Sequence, residues 1–328
     1  MSDLKSLPKV ELHNHLEGTL TPELTRRLAS RNGYTLSDDL FTPEDSFRWS
    51  NFLEFLKAYD LASAAIRTPE DYRDVTYDYL KRCAAEGVIY VETMSSPDHA
   101  AASGMGYQDH LEGIVAGIEE AEKDFGITGR IIITCVRHLG PEKALNVARM
   151  ATASSHPMVV GFGMGGDENA HSPADFAPAY NLAAEAGLKC NVHAGEVAGP
   201  QSVWNAINDL PVQRIGHGVH SIEDPALMDA LKERGIALEV CPGSNIALSV
   251  YPDFKAHPLR RLYDHGIRLS LNSDDPPFFH TTAGQEYETA ARDFGFSRQE
   301  LLQVTRMALE DSFADETTKQ ALLAKACP

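Results

Sequence analysis

The sequence predicts an α/β chain folded as a (β/α)8 TIM-type barrel, with a helical cap inserted after the first strand. Eight β-like runs alternate with helical patterns along the chain. Several runs are continuously apolar, such as Ile131-Ile132-Ile133, as expected of parallel strands covered on both faces. Metal-grade side chains end the first, fifth, sixth and eighth runs, and a closed barrel makes its first and last strands neighbours. A doubly wound open sheet would hold those two strands apart.

The strands are expected at residues 10–15, 88–94, 130–136, 159–163, 189–193, 214–216, 237–241 and 268–272. The long connection 20–68 is rich in apolar residues (Leu24, Leu28, Phe41, Phe47, Trp49) and is expected to be largely helical, capping the barrel mouth. Within it Phe52, Leu53, Phe55 and Leu56 are expected to line that mouth. Residues 69–86 read as a helix with Thr68 as cap, Pro69 in the first turn and Gly87 as the stop. Helices at 110–124, 173–187 and 225–235 end at or near Gly126, Gly187 and Gly235, and Asp224 caps the last of them.

The 328 residues would allow two domains by length, but barrels commonly run this long as one. With no repeat, low-complexity tract or linker, residues 1–328 are read as one barrel domain carrying the cap at about 20–68. The net charge is −18, from 29 basic and 47 acidic residues, with no basic stripe. Such a field repels nucleic acid and anionic membranes, but not a neutral base or nucleoside. The five cysteines (Cys83, Cys135, Cys190, Cys241, Cys327) are widely spaced with no CxxC, which implies reduced thiols and a cytoplasmic protein. The start, Met1-Ser2-Asp3-Leu4-Lys5, lacks the apolar stretch of a secretory signal. No apolar run approaches the ~20 residues that span a bilayer.

The chemistry lies at the strand ends. His13 and His15 are two apart in a strand and therefore share a face, so both imidazoles can reach one metal. His193 ends the fifth run, and Ala194-Gly195 permits a turn that returns Glu196 over the site. His217 sits between Gly216 and Gly218; a fourth ligand, a general base and an electrostatic partner of water all remain open to it. Asp274 and Asp275 face different ways, so one can ligate while the other meets water or substrate. Three histidines and a carboxylate suit a borderline divalent metal, most simply zinc, and leave Glu196, His217 and Asp275 for proton chemistry.

These segments resemble a known family. Glu11-Leu12-His13-Asn14-His15-Leu16-Glu17-Gly18, His193-Ala194-Gly195-Glu196, Arg214-Ile215-Gly216-His217-Gly218 and Ser270-Leu271-Asn272-Ser273-Asp274-Asp275-Pro276 are similar to motifs of the adenosine deaminase family of the amidohydrolase superfamily. The resemblance runs from about Pro8 to Leu323. It implies a zinc-dependent barrel in which His13, His15, His193 and Asp274 bind one Zn2+ per subunit. It implies that Glu196 protonates N1 of a purine and that His217 orients, and takes a proton from, the metal-bound water. Asp275 would meet that water or N7, and the Gly166 backbone N3, with His15 and Glu17 also among the substrate contacts. The implied reaction is hydroxide attack at C6 with loss of ammonia, so the chain would be a hydrolase of C–N bonds in cyclic amidines.

Within the family, Gly165-Gly166-Asp167-Glu168 and Arg214-Ile215-Gly216-His217 resemble the enzymes that act on adenosine. Glu17 departs from them, since many carry Asp at this ribose-contacting position. The stretch from Cys241-Pro242-Gly243-Ser244-Asn245 through His257-Pro258-Leu259 resembles adenine-type relatives. The expectation is deamination of adenosine and 2′-deoxyadenosine, with adenine or another 6-aminopurine as the alternative. A dinuclear phosphotriesterase-like hydrolase would need a bridging lysine in the fourth run, which has none. A purine-binding protein without activity would be expected to have lost a ligand or Glu196, and none is lost.

Overall fold

The computed structural model describes residues 4–153 and 156–326, so Met1, Ser2, Asp3 and Cys327, named above, lie outside the described residues. Eight parallel strands pair in chain order: β1 (Lys9–Glu11), β2 (Val88–Ser95), β3 (Thr128–Val136), β4 (Val159–Gly165), β5 (Lys189–Ala194), β6 (Arg214–His217), β7 (Ala237–Val240) and β8 (Leu269–Leu271). Helices connect them, and the architecture is a (β/α)8 TIM-type barrel. Ile131, Ile132 and Ile133 are fully buried, which is the reason their run is apolar without alternation.

β1 and β8 are shorter than expected, because the seam between them is closed largely by side chains. Asn272 Oδ1 accepts from Leu12 N at 2.9 Å. Glu11 Oε1 accepts from both N and Oγ of Ser273, at 2.7 and 2.6 Å. Past the strand ends, Asp274 N donates to His13 O and His15 N donates to Asp274 O, each at 3.1 Å. Residues 12–15 thus continue beyond β1 through isolated bridges, Asn14 to Asp274 and His15 to Met94.

The helix after the cap, Pro69–Ala85, starts with a reciprocal capping box between Thr68 and Asp71. Tyr107–Phe125 begins earlier than expected and ends at Gly126 in the left-handed region. The stretch 173–187 is a 3-10 turn, Pro173–Phe176, followed by a helix, Ala177–Glu185. Pro178 has no N–H to continue a single helix through that point.

The cap is only partly helical. Pro22–Arg31 and Phe52–Ser63 are helices, while 32–51 is irregular with a bridge between Phe41 and Phe47. Asn32-Gly33, Asp38-Asp39 and Thr42-Pro43 break the helical pattern there. The cap aromatics dock on the residues after β8. Phe47 stacks on Phe278 with centroids 3.9 Å apart, and Phe55 lies 4.9 Å from Phe279.

Inside the barrel Arg214 is buried between two carboxylates, 2.6 Å from Glu92 Oε2 and 2.5 Å from Glu239 Oε1. Its guanidinium also lies 3.5 Å from the centre of the Phe313 ring. Arg214→Met should cost about 3–5 kcal/mol in urea denaturation, because it leaves two buried carboxylates without their counter-ion. A loss below about 1 kcal/mol would show that the interior relaxes around them.

Candidate active site

The barrel's C-terminal mouth holds a cleft of about 680 Å3, its opening included, which is the size of a small-molecule site. His15, Glu17, Gly166, His193, Glu196, His217, Asp274 and Asp275 line it, and His13 is buried beside them. All nine residues singled out from the sequence therefore meet at one place. Phe52, Phe55 and Leu56 also line the cleft, whereas Leu53 is 67% exposed and points away, contrary to expectation.

One atom each from His13, His15, His193 and Asp274 lies within 4.8 Å of the others. His15 Nε2 is 3.1 Å from His193 Nε2. Asp274 Oδ1 is 3.5 Å from His13 Nε2 and 3.4 Å from His15 Nε2. The rings are aimed by bonds at their other nitrogens. His13 Nδ1 is 2.7 Å from Glu239 Oε2, and His193 Nδ1 is 2.8 Å from Met164 O. Gly216 makes room for this, since a Cβ there would lie 2.8 Å from His13 Cε1.

His13 Nε2 is buried with no hydrogen-bond partner. Burial would lower the His13 pKa, yet Asp274 and Glu239 raise it to about 10, so the site draws positive charge to this point. Burial would raise Asp274, but His13, 3.5 Å away, and the neighbouring imidazoles pull it well below the usual range. Burial, with the charges of His13 and His99, outweighs Asp274 and lowers His15 to about 4. These donors and this field fit a divalent cation. His13, His217, Cys241 and Asp274 also lie within 4.8 Å of one another, so proximity alone does not decide whether His217 ligates.

His217 Nε2 is 3.6 Å from Glu196 Oε1 and 3.8 Å from Asp274 Oδ2. Burial lowers the His217 pKa to about 3, so its ring is neutral. Burial, with the charges of Asp274 and Glu168, raises the Glu196 carboxyl well above its ordinary value. Asp275 is raised as well, by burial and by Asp274. Its Oδ1 is buried without a partner and occupies the space that a Cβ at residue 18 would fill, which requires Gly18.

Sequence reasoning gave no role to the groups that hold these residues. Glu168 accepts from the backbone N–H groups of Gly195, Glu196, Val197 and Ala198, and from Ser202 Oγ at 2.6 Å, and so fixes the loop that carries Glu196. Arg137 donates to His193 O and Glu168 O, at 2.5 and 3.1 Å. Ser244 Oγ donates to Asp274 Oδ2 at 2.6 Å. The signal for Glu239 was present, as a lone carboxylate in the apolar run Ala-Leu-Glu-Val-Cys.

A family model described as adenosine deaminase matches residues 8–327. The chain belongs to the adenosine deaminase family. It is similar to a protein named adenine deaminase from Sinorhizobium medicae, 47% identical over 97% of this chain and 98% of the relative. The solved structure of adenine deaminase from Arthrobacter aurescens is 32% identical, with a TM-score of 0.90 over 98% of both chains. An amidohydrolase structure from Burkholderia ambifaria, with bound Zn, is 30% identical, with a TM-score of 0.90 over 99% of this chain and 91% of its own. This member of the family is therefore an amidohydrolase-type deaminase, a hydrolase of C–N bonds in amidines, and its fold is one that works with a metal.

The expectation of adenosine is overturned by the names of these relatives. The structure supplies a physical reason. Glu17 is buried, and its carboxylate already accepts from Tyr59 at 3.2 Å, Tyr72 at 3.1 Å and Ser95 at 2.6 Å. With three hydroxyl donors its carboxylate is already engaged within the protein.

Glu168→Gln should lower kcat on the order of tenfold or more, since ~1.4 kcal/mol of lost positioning is tenfold. Bound metal, measured by elemental analysis, should stay unchanged. Unchanged kcat would show that the Glu196 loop holds itself.

Proposed function

We propose that this chain is an adenine deaminase, converting adenine and water to hypoxanthine and ammonia. The observation that carries the substrate is Glu17, which lines the cleft with its carboxylate already engaged by three internal hydroxyl bonds. The relatives named adenine deaminase support the same reading.

His13, His15, His193 and Asp274 would hold one divalent cation, which we propose is zinc. The zinc-bound neighbour and the nitrogen-rich donor set support that choice. When bound, such a cation lowers the pKa of water and readies it for attack on C6. Every other part falls to side chains of this chain. Burial raises the Glu196 carboxyl well above its ordinary value, which favours its carrying a proton, and it passes one to N1. Gly166 offers its backbone to N3. Asp275 lines the cleft with a free Oδ1 and meets N7. His217 orients the attacking oxygen.

Tyr59, Phe55 and Leu56 line the cleft with apolar surface, which lowers the local dielectric and strengthens these interactions. We place the reaction in the cytoplasm, because all four described cysteines are free and buried. Among the described residues no helix is long and apolar enough to cross a membrane. A small neutral purine also suits a chain of net charge −18.

Ammonia release from adenine and adenosine, compared with the zinc-loaded protein, tests the proposal. Adenine should lead by about 10²-fold or more in kcat/KM. A lead for adenosine would overturn it. Glu196→Gln should keep its metal and lose turnover by about 10²–10⁴-fold, whereas His15→Ala should lose metal and turnover together. Near-full turnover in Glu196→Gln would remove the shuttle role.

A further inference from the structure

Three hydrogen bonds run in line from a backbone amide to the candidate catalytic histidine. Leu259 N is 3.2 Å from His257 Nδ1. His257 Nε2 is 3.0 Å from Asn245 Oδ1. Asn245 Nδ2 is 3.3 Å from His217 Nδ1. All three side chains are buried.

The direction of this chain follows from its first member. A backbone N–H can only donate, so His257 Nδ1 accepts. Burial keeps His257 neutral, lowering its pKa to about 3, and a neutral imidazole whose Nδ1 accepts carries its proton on Nε2. That N–H donates to Asn245 Oδ1. The amide orientation is then fixed, and Asn245 Nδ2 donates to His217 Nδ1. His217 Nδ1 therefore accepts, and the ring carries its proton on Nε2.

We propose that the Leu259–His257–Asn245 relay locks His217 as the Nε2–H tautomer, making it a hydrogen-bond donor in the site and not the base that deprotonates water. The inference rests on the proposed reaction, and it changes the role the family resemblance gave to His217. His217 then has no lone pair on Nε2 for a metal, which removes it from the ligand set with Cys241. Its N–H points into the region of Glu196 Oε1 and Asp274 Oδ2, where it can hold the attacking oxygen and the negative charge that grows on it. The water proton goes to the Glu196 carboxylate, which lies next to the same Nε2, and Glu196 hands it to N1 as the O–C6 bond forms. The second proton of that oxygen goes to the departing amine as the C6–N bond breaks. His257 and Asn245 are positioning residues, acting through His217.

The relay also accounts for the stretch from Cys241 to Leu259. Its helix Pro242–Ala247 supplies both Ser244, bonded to Asp274, and Asn245, bonded to His217. One element thus orients a candidate metal ligand and the neighbouring imidazole together.

Nitrogen-15 NMR of the histidine rings in the zinc-loaded wild-type protein reads the tautomer directly, with the His217 signals identified by their loss in His217→Gln. A proton on Nε2 and none on Nδ1 is the expected result; a proton on Nδ1 overturns the proposal. No substrate is present, so a wrong substrate assignment leaves this test standing. Asn245→Asp places an acceptor-only group against Nδ1 and should move the proton there. Its kcat should fall on the order of 10²–10⁴-fold, as when a catalytic histidine is held in the wrong tautomer, with bound metal unchanged. A shifted tautomer with wild-type kcat would overturn the donor role.

Discussion

The closing seam between β1 and β8 is the constraint on which the site depends. His13 and His15 lie near one end of the chain and Asp274 near the other, and a metal site needs them within a few ångströms. The seam does this with the candidate ligands' own backbone. Asp274 N donates to His13 O, and Asp274 O accepts from His15 N. Asp274 is therefore tied through its backbone to both His13 and His15. The cost shows at Asp274, whose φ of 63° lies in the left-handed region that few residues other than glycine occupy. Glu11 stabilises that turn by accepting twice from Ser273, the residue before it. The first and eighth strands can be short because side chains and ligand backbones replace their ladder.

Beneath the seam, electrostatics sets the orientation of the first candidate ligand, His13. Glu239 reaches His13 on one side and Arg214 on the other. Burial would raise the Glu239 carboxyl, but Arg214 and His13 outweigh it and hold it down to about 2. An ionised Glu239 turns His13 so that Nε2 points inward and makes the ring a stronger donor to a cation. Arg214 is in turn shared with Glu92. The interior thus carries more negative than positive charge around His13, a balance that a bound dication would complete. The same field explains why Glu196 is raised: it is a further carboxylate, desolvated and facing Asp274.

What the sequence made legible was local. An HxH at a strand end has one physical reading once three other ligand segments stand at strand ends, because period-two geometry decides which residues share a face. Turn residues and capping motifs marked most helices to within a few residues. Residues 32–51 were misread because apolar content was taken for helix, although Asn32-Gly33 and Thr42-Pro43 carried the opposite signal. The supports were hidden for a different reason. Glu168 is wrapped by the N–H groups of residues 195–198, and His257 meets Asn245 across a turn. No periodicity reports such contacts, since they exist only after the barrel has closed.

Substrate choice shows the same limit at a single carboxylate. By sequence, Glu17 is one methylene longer than aspartate, and a longer arm either reaches a hydroxyl or fills the space for one. The decision rests on Tyr59, Tyr72 and Ser95, which come from the cap helix Phe52–Ser63, the helix Pro69–Ala85 and the end of β2. Packing that merely crowds a sugar discriminates weakly, whereas a buried carboxylate with three satisfied bonds must give them up to admit one. Ser95 is itself bonded to His110, whose ring burial keeps neutral at a pKa of about 3, so displacing Glu17 would also disturb a second buried polar group. On the proposed reading, exclusion of the nucleoside thus belongs to three hydroxyls from separate elements and not to one residue, and motif residues shared across the family do not report it.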